Sequence, residues 1–220
     1  MIPIYLTLTT RPERVISDHF RKVFNSLKNQ TLPFDKLILN LSIKEFSYTI
    51  PEYLLQDSSV IVNETDICGP CTKLIGSIDI IPEDTMVIVL DDDIVMKSNF
   101  VKSMYDSYIA NPECVSSHFI TVHSSFIEVA GFGGYVFHCK KLKSIKQFYL
   151  TMPSICKYID DTWLSWCIKQ LGVNVVETIE KNAWFNVLDI ANTDPHPEWH
   201  ELYKDTDRIK LIEDALKILI

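Results

Sequence analysis

Hydrophobic residues near the start of the chain change from an every-second-residue pattern to a helical one. Residues 3–9 (Pro-Ile-Tyr-Leu-Thr-Leu-Thr) alternate and are rich in β-formers, and Thr10-Arg11-Pro12 then breaks the run. In residues 14–28 the apolar side chains recur every three or four positions, as they do on one face of a helix. The pattern therefore predicts a strand followed by a helix.

The same succession of strands and helices continues to about residue 180. Residues 85–90 form a continuous apolar run, which suits a strand buried on both faces of a parallel sheet. The pattern also predicts strands at 36–41, 60–63 and 173–178, helices at 71–78, 98–111 and 162–171, and several strands within 113–138. Gly172 is expected just after the end of the last of these helices. This order predicts an α/β fold of the doubly wound class, with a mostly parallel central sheet and helices on both faces.

Length and composition favour one domain. The chain has 220 residues, of which 47% are hydrophobic, so it can bury a large core without disulfides. We expect a single domain over residues 1–220, with its core at about 3–180. A last helix, predicted over 206–220, would dock on that core or lead into a longer chain with further domains. The six cysteines are too few for a disulfide scaffold and are expected to be reduced thiols.

Charge and hydropathy limit the partners and the cellular location that the sequence predicts. The formal net charge of −8 argues against nucleic acid as a partner. The N-terminus lacks the basic segment of a secretory signal, and no apolar run approaches the roughly 18 residues of a membrane span. We therefore expect a soluble, cytoplasmic protein without a transmembrane segment.

Three consecutive aspartates, Asp91, Asp92 and Asp93, follow the apolar run. In an open α/β sheet, ligands bind at the carboxyl ends of the strands. Alternation along an extended segment would direct Asp91 and Asp93 to one side and Asp92 to the other. With no Lys or Arg beside them in the sequence, these carboxylates favour a hard cation such as Mg²⁺ or Mn²⁺. The alternative is a solvated acidic turn.

Several segments taken together resemble glycosyltransferases of the GT-A fold. They are Thr-Thr-Arg after the first strand, Asp-x-x-Gly-Pro-x-x-Lys after the third, Asp-x-Asp after the apolar strand, a glycine-rich segment, and an acidic pair before a late helix. The resemblance covers about residues 3–180 and depends on the order of these segments, since each is short. The chain looks most similar to small nucleotide-sugar transferases of bacterial surface-glycan clusters and of large DNA viruses that glycosylate their capsids. A viral origin would imply the host cytoplasm.

The resemblance implies a nucleotide-sugar donor, more often a UDP-sugar than a GDP-sugar, and a glycan or glycoprotein acceptor. Asp93 would hold Mn²⁺ or Mg²⁺ on the donor diphosphate, and Asp91 would contact the ion or the ribose, with Asp92 beside them. The other donor contacts that the resemblance implies are Thr9, Thr10, Arg11, Asp66 and Lys73. For Lys73, a solvated helix lysine is the alternative.

Asp160 and Asp161 match the acidic pair of that family, in which one carboxylate removes the proton of the acceptor hydroxyl during an inverting displacement. We predict that Asp161 is this base and that Asp160 contacts sugar hydroxyls or caps the helix. Aspartate at a helix N-terminus is also a routine cap, and the helix dipole would lower its pKa.

Further candidates come from glycines, aromatic residues and the tail. Gly133 and Gly134, in Gly131-Phe132-Gly133-Gly134, would let the backbone approach the donor sugar, and a strand bulge is the alternative. Aromatic side chains that could stack on sugars are Trp163, Trp184, Trp199 and Tyr135, although Trp163 also suits the core. His196 or His200 could add a metal ligand.

A rival interpretation comes from Cys68-Gly69-Pro70-Cys71, which resembles the active site of thioredoxins. It predicts a thiol–disulfide oxidoreductase in which Cys68 attacks and Cys71 resolves the mixed disulfide. The residues on either side depart from the thioredoxin pattern, since Ile67 replaces the usual tryptophan and Thr72 replaces a basic residue. The rival also leaves both aspartate groups unexplained.

Overall fold

The computed structural model describes residues 2–123, 125–154, 156, 159–180 and 214, together with the backbone of residues 185–187. The strands are β1 (Ile4–Thr9), β2 (Lys36–Ser42), β3 (Val60–Thr65), β4 (Met86–Val89), β5 (Ile94–Met96), β6 (Val115–Ser117), β7 (Ile120–Val122), β8 (Ile127–Val129), β9 (Tyr135–His138), β10 (Val175–Glu177) and β11 (Phe185–Val187). The helices are α1 (Pro12–Val15), α2 (Asp18–Lys28), α3 (Glu52–Leu55), α4 (Thr72–Ile75), α5 (Phe100–Ala110), α6 (Cys139–Leu142) and α7 (Asp160–Gln170). Two 3₁₀ segments span Gly131–Gly133 and Ile145–Thr151.

The central sheet has seven strands in the order β10-β6-β9-β4-β1-β2-β3. Strands β1 to β4 run parallel to one another, and β10 runs parallel to β6. Strand β9 is antiparallel to both of its neighbours, β4 and β6. Two small antiparallel pairs, β5 with β11 and β7 with β8, lie apart from this sheet. The α/β class and the mostly parallel sheet predicted from the sequence are confirmed.

Helices cover both faces of the sheet, as alternate residues of β4 demonstrate. Met86 and Ile88 belong to a hydrophobic cluster that includes residues of α2 and α5. Val87 and Val89 belong to the opposite cluster, which includes residues of α4 and α7. All four side chains are fully buried. A strand buried on both faces has no polar positions, which explains the continuous apolar run in the sequence.

Local capping explains where several helices begin and end. The helix predicted over 14–28 is divided because Ser17 adopts an extended conformation and its hydroxyl accepts a 3.1 Å hydrogen bond from Phe20 N. Helix α5 begins at Phe100, two residues later than predicted, and its N-cap Asn99 makes no side-chain capping bond. Gly172, with φ of +71°, follows the C-cap of α7 as predicted.

Two parts of the chain differ from the prediction or lie beyond it. Strand β5, directly after Asp93, was not predicted, and it pairs with β11. The predicted helix over 206–220 lies outside the described residues except for Asp214, and so do His196 and His200. Within the part of the chain that the structure describes, no helix is long and apolar enough to cross a membrane.

Candidate functional site

The candidate site lies where the strand order of the sheet reverses. From β1 the chain places β2 and β3 on one side, and β4 then joins the other side of β1. In open α/β sheets such a switch point leaves a crevice at the carboxyl ends of the strands. The segment that begins at Thr10 follows β1 into this crevice, and the three aspartates follow β4.

One half of the site, which we name the Arg14 cluster, consists of Arg14, Thr10, Asp92 and Asp93. The Asp92 carboxylate accepts hydrogen bonds of 2.6 Å from Thr10 Oγ1 and of 2.6 Å from Arg14 Nη1. Asp93 Oδ2 lies 3.6 Å from Arg14 Nη1, and 19% of the Asp93 side chain is exposed. Burial alone would lower the pKa of Arg14, but Asp92 and Asp93 raise it above its usual value. Asp92 is therefore fully engaged, whereas Asp93 is weakly paired.

The other half, the Lys73 cluster, consists of Lys73, Asp91, Asp160 and Asp161. Lys73 Nζ lies 2.7 Å from Asp91 Oδ1 and 3.0 Å from Asp161 Oδ1. Lys73 Nζ also lies 2.9 Å from Asp160 Oδ2, but this ion pair does not have the angles of a hydrogen bond. Only 3% of the Lys73 side chain is exposed. Burial would lower the pKa of Lys73, but the three carboxylates raise it well above its usual value, so the ammonium group stays charged.

Buried polar side chains of the sheet fix the backbone of α4 at Lys73. Thr7 Oγ1, on β1, donates a 2.6 Å hydrogen bond to the carbonyl oxygen of Lys73. The Asn40 amide, on β2, donates to Thr7 Oγ1 at 2.8 Å and to the same carbonyl oxygen at 3.3 Å. Because Thr7 and Asn40 are fully buried, these bonds hold α4 in one register against the sheet and aim Lys73 at the aspartates.

Asp161 is held by a second contact from the glycine-rich segment. Its Oδ2 accepts a 2.8 Å hydrogen bond from Gly131 N, while Oδ1 faces Lys73. A Cβ on Gly131 would lie 2.3 Å from Lys73 Nζ and 2.8 Å from Asp91 Oδ1. Only glycine therefore lets the backbone lie directly against this cluster.

The two clusters together hold five carboxyl groups, Asp91, Asp92, Asp93, Asp160 and Asp161, and two cationic side chains. Burial, reinforced by the neighbouring aspartates, raises the pKa of Asp93 to about 7. Burial also raises the pKa of Asp161 to about 7, although Lys73 opposes the shift, and it raises the pKa of Asp160. The site thus carries more negative charge than its own cations neutralise.

Several sequence expectations about these residues need correction. The aspartates are not without basic neighbours, because Lys73 and Arg14 reach them from distant parts of the chain. Lys73 is not a solvated helix lysine, since three carboxylates enclose it. Its predicted contact with the donor stays a prediction. Asp160 and Asp161 lie in the first turn of α7 after the N-cap Ile159. The pKa of Asp161 is raised and not lowered, because burial outweighs the helix dipole.

The other predicted donor contacts lie near the crevice but are already engaged by protein groups. Thr9 Oγ1 donates to the carbonyl oxygen of Asn40 at 2.9 Å, and Thr10 bonds Asp92. Arg11 Nε lies 2.7 Å from Glu13 Oε1, with 36% of the arginine side chain exposed. Asp66 is 67% exposed and pairs with Lys44. The hydrogen bonds of the Lys73 ammonium group go to Asp91 and Asp161. Their roles toward a nucleotide stay predictions.

Packing explains the two glycines that were predicted to approach a donor sugar. A Cβ on Gly133 would lie 2.3 Å from Phe119 Cδ2, and one on Gly134 would lie 2.8 Å from Phe100 Cζ. Gly134 also has φ of +76°. Both positions are crowded by phenylalanine rings, and it is Gly131 that contacts the acidic site.

The aromatic residues that were predicted to stack on sugars are either buried or outside the described residues. Trp163 and Tyr135 are fully buried, so neither can stack on a sugar. Trp184 and Trp199 lie outside the described residues, as does the candidate ligand His196.

Cys71, the resolving cysteine of the rival thiol chemistry, lies inside the protein. Its thiol is fully buried, and burial raises its pKa well above the usual value. Cys71 Sγ lies 3.4 Å from the carbonyl oxygen of Cys68, and both cysteines are free. The Cys-Gly-Pro-Cys turn leads directly into α4, and Lys73 is the second residue of that helix.

The residues present suit a divalent cation that is shared with a ligand. Among the described residues, no group of three or more His, Cys, Asp or Glu side chains is arranged to hold a metal ion by itself. Mg²⁺ is commonly bound through one or two carboxylates together with substrate phosphates. Asp93, weakly paired and partly exposed, and the second oxygen of Asp91 meet that requirement.

Two residues of the site were missed by sequence reasoning. Arg14 lies in α1, three residues after Arg11, and Gly131 was considered only as part of its glycine-rich segment. A signal for Arg14 was present, because a basic residue in the first turn after β1 lies at the same sheet edge as the aspartates. For Gly131, the sequence gives no means to rank it above Gly133 or Gly134.

No protein-family model matches the chain, and no curated protein sequence matches it. Solved structures are similar to it in fold. A 4-diphosphocytidyl-2C-methyl-D-erythritol synthase from Anaerococcus prevotii has a TM-score of 0.54 at 11% identity, over 98% of this chain and 96% of that one. A putative glucose-1-phosphate thymidylyltransferase from Bacillus anthracis, solved with sucrose, has a TM-score of 0.54 at 14% identity, over 85% of this chain and 89% of that one.

A third similar structure is TarS from S. aureus. Its 1–349 fragment in complex with UDP has a TM-score of 0.58 at 13% identity, over 84% of this chain and 60% of that one. The chain matches 37% of the longer TarS structure. Identities this low show a shared fold only. The protein has the Rossmann-like α/β fold of the GT-A type that these structures share.

Proposed function

We propose that this protein is a glycosyltransferase that moves a sugar from a nucleotide diphosphate donor, favouring UDP over GDP, to a hydroxyl of a glycan or glycoprotein. One observation carries the proposal. At the switch point of a GT-A-type sheet, five aspartates lie close to two cationic side chains, Lys73 and Arg14. Lys73 contacts both the aspartates at the start of α7 and Asp91 after β4. This arrangement supports a metal-assisted site and a general base in one crevice.

Asp93 and Asp91 are the residues that would hold Mn²⁺ or Mg²⁺ beside the donor diphosphate. The ion would act as a Lewis acid that stabilises the negative charge on the departing diphosphate. Asp92, bonded to Arg14 and Thr10, fixes the loop next to Asp93. The excess of negative charge in the two clusters supports this assignment.

Asp161 is the candidate general base. It is the more accessible member of its pair, with 24% of its side chain exposed against 11% for Asp160. Burial raises its pKa to about 7, so it accepts a proton more readily near neutral pH than an ordinary aspartate does. In the inverting reaction, the acceptor oxygen forms the new bond to the anomeric carbon and gives its proton to Asp161. The bond from that carbon to the diphosphate breaks, and the nucleotide takes the electron pair.

The proposal is tested by identifying the phosphorus product. Purified protein is incubated with Mg²⁺ and UDP-glucose, UDP-galactose, UDP-N-acetylglucosamine or GDP-mannose, and the products are followed by ³¹P NMR. Release of UDP or GDP supports transfer of the sugar to an acceptor or to water. This release should be lost in Asp93→Asn and retained in the surface control Asp106→Asn. Pyrophosphate released from a nucleoside triphosphate and a sugar 1-phosphate, with no release from nucleotide sugars, would instead make the protein a nucleotidyltransferase.

A further inference from the structure

The Cys-Gly-Pro-Cys turn before α4 holds two free thiols that the proposed function does not use. Cys68 is partly exposed, whereas Cys71, three residues later, is fully buried. Disulfide exchange within a pair of thiols proceeds through a mixed disulfide, so one thiol must be accessible and the other must be close behind it. The turn carries both kinds of thiol.

The folded chain keeps the two cysteines together. Cys71 Sγ donates a 3.4 Å hydrogen bond to the carbonyl oxygen of Cys68, so the buried thiol lies against the residue that carries the accessible one. Thr72 Oγ1 donates to the carbonyl oxygen of Ile67 at 3.1 Å, a bond that spans both cysteines. Gly69, with φ of +80°, permits the sharp reversal between them.

Side chains from other parts of the chain fix the backbone of this turn. Tyr149 Oη accepts a 2.9 Å hydrogen bond from Cys68 N, and Glu45 Oε2 accepts one of 2.7 Å from Gly69 N. The thiol of Cys68 lies outside this framework, where Sγ is 3.6 Å from the carbonyl oxygen of Asp66. The turn is therefore rigid while one of its two thiols can be reached by a small molecule.

The turn continues without a break into the Lys73 cluster. Thr72 N donates to the carbonyl oxygen of Gly69 at 3.1 Å, and Lys73 N donates to that of Pro70 at 3.2 Å. A covalent link across the turn would thus restrain the backbone that carries Lys73 to its aspartates.

We propose that Cys68 and Cys71 are a reversible redox site, in which a disulfide between them clamps the turn that carries Lys73. The co-reactant is a small-molecule disulfide of the glutathione disulfide type. This inference does not depend on the proposed function, since it needs only the two thiols and the connection of their turn to α4.

The exchange takes place in two steps. The Cys68 sulfur gives up its proton and attacks one sulfur of glutathione disulfide, whose S–S bond breaks, and one glutathione leaves and takes up a proton. Cys71, whose pKa is raised well above its usual value by burial, stays protonated until then. Its sulfur then gives up the proton and bonds to the Cys68 sulfur, and the second glutathione leaves with a proton. Two cysteine thiols are oxidised to one disulfide, and one glutathione disulfide is reduced to two thiols.

Equilibration with glutathione tests the proposal on the wild-type protein. The protein is incubated in mixtures of reduced and oxidised glutathione, free thiols are alkylated, and the cysteine peptides are identified by mass spectrometry. We expect a disulfide between Cys68 and Cys71 that dithiothreitol reverses. The fully buried Cys139, Cys156 and Cys167 should stay free, which shows that the fold remains closed. Thiols of Cys68 and Cys71 that both stay free, or glutathione that stays bound to Cys68, would overturn the proposal.

Single variants assign the two steps. Cys71→Ala should stop at the mixed disulfide of Cys68 with glutathione, because no thiol remains to complete the exchange. Cys68→Ser should leave Cys71 free, because the buried thiol is not reached. Cys114→Ser, at another partly exposed cysteine, is the control and should form the disulfide as wild type does. An unmodified Cys68 in Cys71→Ala, or a modified Cys71 in Cys68→Ser, would contradict this order of attack.

Hydrogen exchange tests the connection to Lys73. Leu74 N donates to the carbonyl oxygen of Cys71 at 3.1 Å, so its exchange reports opening of the turn. In the oxidised protein the amides of Lys73 and Leu74 should exchange about fivefold more slowly, and those of α5 should be unchanged. Equal exchange of Lys73 and Leu74 in both redox states would overturn the clamp. Neither experiment involves a nucleotide or a sugar, so failure of this inference leaves the proposed function standing, and the reverse also holds.

Discussion

The Lys73 cluster and the Arg14 cluster hold their carboxylates in different ways. Lys73 is enclosed by three aspartates within 3.0 Å, and only 3% of its side chain is exposed. Arg14 is 20% exposed, bonds Asp92 at 2.6 Å and lies 3.6 Å from Asp93. In the first cluster every carboxylate lies within 3.0 Å of the ammonium group. In the second, Asp93 lies beyond hydrogen-bond distance of Arg14, which favours it as a ligand of an external cation.

This difference assigns different tasks to the two clusters. A cation bound by three carboxylates and fixed by Thr7 and Asn40 stabilises the architecture that joins β4 to α7. A carboxylate whose pKa is raised to about 7 by burial and by its acidic neighbours gains most from a bound metal ion. The Lys73 cluster is therefore expected to control folding, and the Arg14 cluster to control donor binding.

Removal of the charge of Lys73 is expected to have the largest effect on stability. Lys73→Met leaves three buried carboxylates without their partner, which should lower the free energy of unfolding by about 3–5 kcal/mol. Urea unfolding at pH 7 measures this loss. The loss should shrink at pH 5, where the buried aspartates with raised pKa can be protonated.

The control for this variant is Lys146→Met. Lys146 Nζ pairs with Asp79 at 2.6 Å, but both side chains are about half exposed. Its replacement should change stability by about 0.5 kcal/mol or less. Equal stabilities of Lys73→Met and Lys146→Met would contradict a structural role for Lys73.

The sequence predicts the sheet better than it predicts the site. Strands β1, β2 and β4 and helices α2, α5 and α7 follow from the spacing of apolar residues, because each has a buried face with its own period. Lys73 lies 18 residues from Asp91 and 88 from Asp161, so their contact depends on how the strands are ordered. Burial of Asp161 likewise depends on packing between distant segments, and for this reason the direction in which its pKa shifts was predicted wrongly.

Replacement of the candidate base should reduce turnover strongly. Asp161→Asn keeps a side chain of the same shape but cannot accept the proton of the acceptor, so the rate should fall about 100-fold to 10,000-fold. UDP affinity should be retained, because the donor contacts are assigned to other residues. Initial rates of UDP release in the presence of the acceptor measure the effect, with Asp106→Asn as control. Unchanged turnover would exclude Asp161 as the base.

Crowding at the glycine-rich segment should have a smaller effect. In Gly131→Ala the added Cβ would meet Lys73 Nζ and Asp91 Oδ1, so the backbone must move away from Asp161. Overpacking of this kind should cost about 1–3 kcal/mol in unfolding experiments. Wild-type stability and turnover in this variant would show that the segment does not constrain the Lys73 cluster.

The remaining prediction is a pH-dependent change in stability. The pKa of Asp93 is raised to about 7 in the folded protein, so without metal the folded state binds more protons than the unfolded state between about pH 4 and pH 7. This group therefore lowers stability as the pH rises through that window. Asp93→Asn removes the effect, and without metal it should melt at a higher temperature than wild type at pH 7, with a smaller difference at pH 5. The opposite order at pH 7 would contradict the assignment of excess negative charge to Asp93.

Calorimetric titration with UDP tests the central claim most directly. Wild type, Asp93→Asn and Asp106→Asn are each titrated with Mn²⁺ present and again with EDTA. The account predicts that wild type and Asp106→Asn bind UDP only with Mn²⁺, and that Asp93→Asn binds at least about tenfold more weakly, a loss of about 1.4 kcal/mol. Equal affinity in EDTA, or full metal-dependent binding by Asp93→Asn, would contradict a shared metal site at the carboxyl end of β4.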